Sequence, residues 1–99
     1  MRMFARVSTF QYQPGSLGEL VKVFNEAVLP ANRERAGHVR SYLLVDSAAE
    51  QAMVITVWES HEALAAGDSD GFYQAQVGKV QHLLASSVAR HVYELKAQS

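Results

Sequence analysis

Branched and aromatic residues gather in four stretches of this chain, and apolar residues at helical spacing fill the intervals between them. Met3 to Tyr12 carries Phe4, Val7, Thr9, Phe10 and Tyr12, which favour extended structure and predict a first strand. Pro14-Gly15 breaks it. Leu17, Leu20, Val21, Phe24 and Val28 then follow at helical spacing, so one face of this helix is buried. Ser16 with Glu19 three residues on has the spacing of a capping box. Pro30 cannot donate a backbone hydrogen bond and crowds the preceding turn, which predicts a kink or break there. Ala31 to Ala36 resumes a turn or two of helix, and Gly37 suits a left-handed helix end.

Val39–Val45 and Ala52–Trp58 read as a hairpin joined by the polar connection Asp46 to Gln51. Ser60 is an N-cap for a short helix through His61-Glu62-Ala63-Leu64, and Gly67 to Gly71 interrupts it as a loop or kink. A further helix spans Phe72 to about Leu84; Gly78 within it costs roughly 1 kcal/mol relative to Ala, a cost that close packing would offset. Ser86-Ser87 is a turn before a fourth strand, Val88–Leu95. The order β-α-β-β-α-β is the ferredoxin-like arrangement of the α+β class. Right-handed crossovers place both helices on one face of a four-stranded antiparallel sheet.

A sheet wet on one side should alternate apolar and polar residues. The third strand instead puts Ala52, Val54, Thr56 and Trp58 on one face and Met53, Ile55 and Val57 on the other. The second strand sets Val39, Leu43 and Val45 against Tyr42 and Leu44. Two helices cover one face only. The remaining face calls for a second sheet, most simply that of a second copy in a symmetric dimer.

Composition narrows the function classes. Ninety-nine residues with 48% hydrophobic content make one globular domain, residues 1–99. A net charge of −1 lacks the basic surplus of a nucleic-acid binder. The absence of cysteine excludes disulfides, Cys-based zinc sites and thiol nucleophiles. MRMFARVSTF has no apolar signal-peptide core, and no apolar run reaches membrane-span length, so a cytoplasmic protein without membrane contact is expected.

The residues that interrupt the apolar strands are the candidate chemistry. Arg6 and Ser8 share a face with Phe4 and Phe10, Arg40 with Tyr42, and His91 with Tyr93. Facing a cavity, Arg6, Ser8, Tyr42, Trp58 and Tyr93 would bind a small hydrophobic or aromatic ligand, and His91 is the candidate general base. Each has a structural alternative. Trp58, Tyr42 and Tyr93 could pack the core, His91 could be a hydrogen-bonded structural histidine, and Arg6 could pair with Glu94 or Glu59. His61-Glu62 lacks the second histidine of a zinc-protease helix. Asp68-Ser69-Asp70-Gly71 resembles the start of a calcium loop, but Lys79 stands where the closing glutamate belongs. The segment reads better as a gate or as a cap for the next helix.

Several short stretches resemble the antibiotic biosynthesis monooxygenase family of the dimeric α+β barrel superfamily. They are the first strand running into Pro14-Gly15, then Leu29-Pro30-Ala31 before Gly37, and above all Val57-Trp58-Glu59-Ser60 followed by Glu62-Ala63-Leu64. The resemblance implies a homodimeric barrel with a cavity between sheet and helices. It also implies oxidation of aromatics, quinols or polyketide-like molecules by molecular oxygen with no cofactor and no metal. A non-catalytic small-molecule binder of the same fold, or a structural dimer whose cavity is self-filled, are the alternatives. Haem-degrading members place an Asn, a second Trp and an iron-ligating His where this chain has Ser8, Gly67 and about Gln76. Haem chemistry is therefore not expected.

Overall fold

In the computed structural model, which describes residues 2–99, the strands are β1 (Phe4–Gln11), β2 (His38–Asp46), β3 (Gln51–Trp58) and β4 (Ala89–Glu94). They form one sheet in the order β2-β3-β1-β4, with every neighbouring pair antiparallel. This is the ferredoxin-like α+β fold that the element order predicts.

The first helix is longer and less regular than a proline-broken rod. It comprises α1 (Leu17–Val23), a π-helical segment (Phe24–Val28) and α2 (Leu29–Arg33). Leu29 N–H reaches back five residues to the carbonyl of Phe24. Pro30 therefore sits inside a continuing helix, because the widened turn before it relieves the crowding that a proline ring causes in an α-helix. The Ser16–Glu19 capping box does not form. Ser16 Oγ donates instead to the Gln13 carbonyl at 2.6 Å, tying the helix start to the end of β1.

Ser60 does cap α3 (His61–Ser69), accepting the Ala63 N–H at 3.1 Å. This helix runs through Gly67 and Asp68, which the sequence assigns to a loop. Ser69 satisfies its own hydroxyl on the Ala65 and Ala66 carbonyls, and Gly67 is buried in the helix near Phe72. The break falls at Gly71, in the left-handed region at φ 83°. Asp70 then accepts the Phe72 N–H at 3.0 Å at the start of α4 (Phe72–Val80), which ends in a 3₁₀ turn, Gln81–Leu83.

Directly opposed residues share a sheet face, so the register fixes which side chains meet the helices. Phe4, Arg6, Ser8 and Phe10 of β1 lie opposite Trp58, Thr56, Val54 and Ala52 of β3, all facing the helices. The core joins Phe10, Tyr12 and Ala52 to Leu20, Phe24, Val28, Val80 and Leu83. A β-bulge at Val39 puts His38 opposite Trp58 and Arg40 opposite Val57, so the two basic residues face opposite sides. The far face carries Val7, Ile55 and Val57, half-buried, with Tyr42, Leu44, Met53 and Tyr93 exposed. No helix is long and apolar enough to cross a membrane among the described residues.

Candidate functional site

A cavity lies between the helix-facing side of the sheet and the helices. β1 contributes Arg6, Ser8 and Phe10, and β3 contributes Val54, Thr56 and Trp58. The first helix supplies Phe24, Val28 and Asn32, α3 supplies Gly67, and α4 supplies Phe72, Tyr73, Gln76 and Val77. Its free volume is about 60 Å³. That holds a few waters and falls short of the ~150 Å³ in which an apolar cavity takes up benzene. An aromatic ring enters only if the α4 side chains that close the cavity move aside. A larger cleft of about 660 Å³ at the end of the sheet, beside Gln11, Asp46, Ser86 and Ser87, is wide open to solvent. The smaller cavity has the character of a ligand site, with apolar walls and a few convergent polar groups.

The strongest electrostatic feature sits at its α4 side. Arg6 Nη2 donates to Asp68 Oδ2 at 2.7 Å, and Arg90 Nη1, from the neighbouring strand β4, donates to Asp68 Oδ1 at 2.8 Å. The Tyr73 ring lies beneath both guanidiniums, at 4.2 Å from Arg6 and 4.7 Å from Arg90, in cation–π geometry. The Tyr73 hydroxyl shares a 2.8 Å hydrogen bond with Ser8 Oγ. The Arg6 side chain is 5% exposed against 38% for Asp68. Burial pulls the Arg6 pKa below its ordinary value, Asp68 opposes that shift, and Arg90 adds to it. An arginine remains charged through such shifts.

A second polar corner reaches the cavity through Asn32, Thr56 and Trp58, with His38 and Ser41 behind them and outside its lining. Trp58 packs in the core and donates from Nε1 to Thr56 Oγ1 at 2.9 Å. His38 meets the Trp58 ring edge-on with centroids 5.4 Å apart. His38 Nε2 and Ser41 Oγ are 2.7 Å apart, and buried Asn32 donates from Nδ2 to the same hydroxyl at 3.3 Å. Burial, then the nearby positive charge of Arg33, pushes the His38 pKa down, so its imidazole is neutral at neutral pH.

Of the residues singled out from the sequence, the structure brings Arg6, Ser8 and Trp58 to this cavity. Tyr42, His91 and Tyr93 lie together on the far face of the sheet with Arg40 and do not line it. The ion-pair partner of Arg6 is Asp68, correcting the expectation of Glu94 or Glu59. Glu94 pairs with Arg2 at 2.7 Å, and Asp68 is delivered by the unbroken α3. Ser8, Gly67 and Gln76, the positions compared with haem-degrading relatives, all line the cavity. None of the lining side chains is a histidine, cysteine or methionine, and the hydroxyl of the one lining tyrosine, Tyr73, is engaged with Ser8 while its ring lies under two guanidiniums, so the donor set does not fit haem. Among the described residues, no group of three or more His, Asp or Glu side chains is arranged to hold a metal.

Asn32 and Tyr73 belong to the site without having been singled out, and Asp68 was weighed as part of a calcium-loop pattern, not as the partner of Arg6 and Arg90. Asn32 had a signal, since it continues the four-residue spacing of Leu20, Phe24 and Val28. Asp68 was hidden by Gly67 and Gly71, which read as loop punctuation. Tyr73 carries no signal beyond its place in an amphipathic stretch.

The sequence pattern of one family, antibiotic biosynthesis monooxygenase, matches residues 3–78. Among curated proteins, no sequence relative matches. Solved structures share the fold along nearly the whole length. A putative antibiotic biosynthesis monooxygenase from Bordetella bronchiseptica is similar at 16% identity with a TM-score of 0.82, over 99% of this chain and 100% of that one. SnoaB, a cofactor-independent oxygenase from Streptomyces nogalater, gives 17% identity and a TM-score of 0.79 over 99% and 97%. Rv0793 from Mycobacterium tuberculosis gives 18% and 0.77 over 98% of each chain.

Proposed function

The chain belongs to the antibiotic biosynthesis monooxygenase family, and from that premise we propose that it is a cofactor-independent monooxygenase acting on a small aromatic, quinol or polyketide-like molecule in the cavity beside Trp58. The observation that carries this reading is the partly enclosed apolar cavity with a buried cation, Arg6, at one wall. In such chemistry an activated C–H of the substrate loses a proton, and the electron pair left behind passes to dioxygen. One oxygen atom enters the product as a carbonyl and the other leaves as water. A buried guanidinium stabilises the negative charge that develops on the substrate, and the Ser8–Tyr73 hydroxyl pair supplies a further donor. Phe24, Phe72 and Trp58 provide the walls that exclude water.

A second reading rests on the lining itself. None of the lining side chains is an aspartate, glutamate, histidine or lysine, the usual general bases. A cavity so equipped also suits a small-molecule binding protein that does no chemistry. Oxygen uptake separates the two. With a panel of anthrones and hydroquinones the enzyme reading expects one dioxygen consumed per product molecule, faster than in buffer. A ligand that binds without raising uptake above buffer leaves the binder. A role for His91 as the base, from the far face, stands only if His91→Ala slows that uptake.

The assembly we infer is a homodimer in which the far sheet faces of two subunits meet. Its support is the exposed apolar surface of Tyr42, Leu44, Met53 and Tyr93, which no helix covers.

A further inference from the structure

Arg6 is not fully used. Nη2 is the one guanidinium nitrogen of Arg6 engaged in a hydrogen bond among the described residues, and its Nε is buried with no partner. A buried donor left unpaired is destabilising, and more so on a charged group. The charges around it do not balance either. Arg6 and Arg90 share the single carboxylate of Asp68, leaving one positive charge in excess beside an apolar cavity. The other nearby acids are spent elsewhere, Glu94 on Arg2 and Lys96 and Asp70 on Arg35.

Resting on the reading of this cavity as a ligand site, we propose that its ligand is a monoanion: a flat apolar body carrying one ionised oxygen acid, carboxylate or phenolate, that seats on Arg6. The anion accepts the orphan Nε–H and neutralises the surplus charge, while the apolar body takes the space between Phe24, Phe72 and Trp58. Asp68, more exposed than Arg6, keeps its contact with Arg90 and yields part of its hold on Arg6. Arginine suits this exchange because its planar fork offers an oxyanion two parallel N–H donors.

Three probes of matched ring size test the proposal by calorimetry on the full chain: 1-naphthoate, neutral 1-naphthalenemethanol, and 1-naphthol titrated through its own ionisation. Naphthoate is expected to bind at least about tenfold tighter than naphthalenemethanol, the worth of one charge-assisted hydrogen bond. Arg6→Gln should abolish that preference, and Asp68→Asn, which removes the competing carboxylate, should enlarge it. A matching gain for naphthol on ionisation extends the site to phenolates, and its absence restricts it to carboxylates. Equal binding of naphthoate and naphthalenemethanol overturns the monoanion proposal and leaves the cavity reading intact, whereas failure of all three probes to bind overturns both. If Arg6→Gln does not fold, naphthoate binding unchanged or weakened in Asp68→Asn is enough to reject the proposal.

Discussion

His38 shows how one half-buried titratable group makes the stability of the fold sensitive to pH. Its folded pKa lies below the ordinary value of about 6.5 because burial and Arg33 disfavour the cation. As pH falls through ~6.5 the unfolded chain takes up this proton before the folded chain does, so stability declines on the acid side. Thermal melts between pH 8 and pH 5 should therefore show a loss in the native protein that is smaller in His38→Gln, and equal slopes would rule out His38 as the cause. Strand periodicity put Arg6 and Ser8 on one face of their strand and Trp58 on one face of its own, but the register that brings those two faces to the same side of the sheet is set between strands. The sequence could not name Asp68 as the partner of Arg6, since that contact spans sixty-two positions of the chain and depends on where a helix ends. The bulge at Val39 was equally hidden. One extra residue turns His38 toward Trp58, and no local pattern announces it.

Elements were legible in kind and order, and least so at their ends. Every strand and the Ser60 cap lie where the pattern places them, while Gly67-Asp68 joined a helix and the Ser16 capping box gave way to a tertiary contact. Glycine is the reason such boundaries mislead, because the same residue marks a turn, a close approach or nothing. Gly37 marks both of the first two. It has φ 82°, and a Cβ there would stand 2.5 Å from Cβ of Ala63 where α3 docks. Gly78 was expected to serve close packing, yet a Cβ there meets no atom within 4 Å. The two should respond oppositely to alanine. Gly37→Ala should lose about 2 kcal/mol or more to strain and overpacking, and Gly78→Ala should gain about 0.5–1 kcal/mol of helix propensity. Urea midpoints at constant m-value measure both, and a destabilised Gly78→Ala would show that the open surface around α4 is used by something else.

At the scale of the molecule, the sequence argument that both sheet faces need cover is visible as exposed side chains. Leu44 is 49% and Tyr93 55% exposed on the face that no helix reaches. If two such faces meet, light scattering should give about twice the 10.9 kDa chain mass. Leu44→Glu should return a folded monomer with unchanged far-UV circular dichroism. A native protein that scatters as a monomer at high concentration rejects the dimer. The cavity was less legible than the sheet, because its volume depends on how far Tyr73 and Phe72 lean in from α4, and side-chain periodicity carries no information on that.

The π-helical segment sets where the cavity's second polar corner points. In a regular α-helix a strict four-residue spacing drifts around the axis by about 40° per step. Leu20, Phe24, Val28 and Asn32 would then spiral away from the sheet, but all four are buried. The wider turn from Phe24 to Val28 takes up the drift. Shortening that turn by a single residue would swing everything beyond it by about 100° and carry Asn32 away from Ser41, with Leu20 and the sheet left in place. The aim of this corner is thus a matter of chain length, adjustable by one codon without redrawing the sheet.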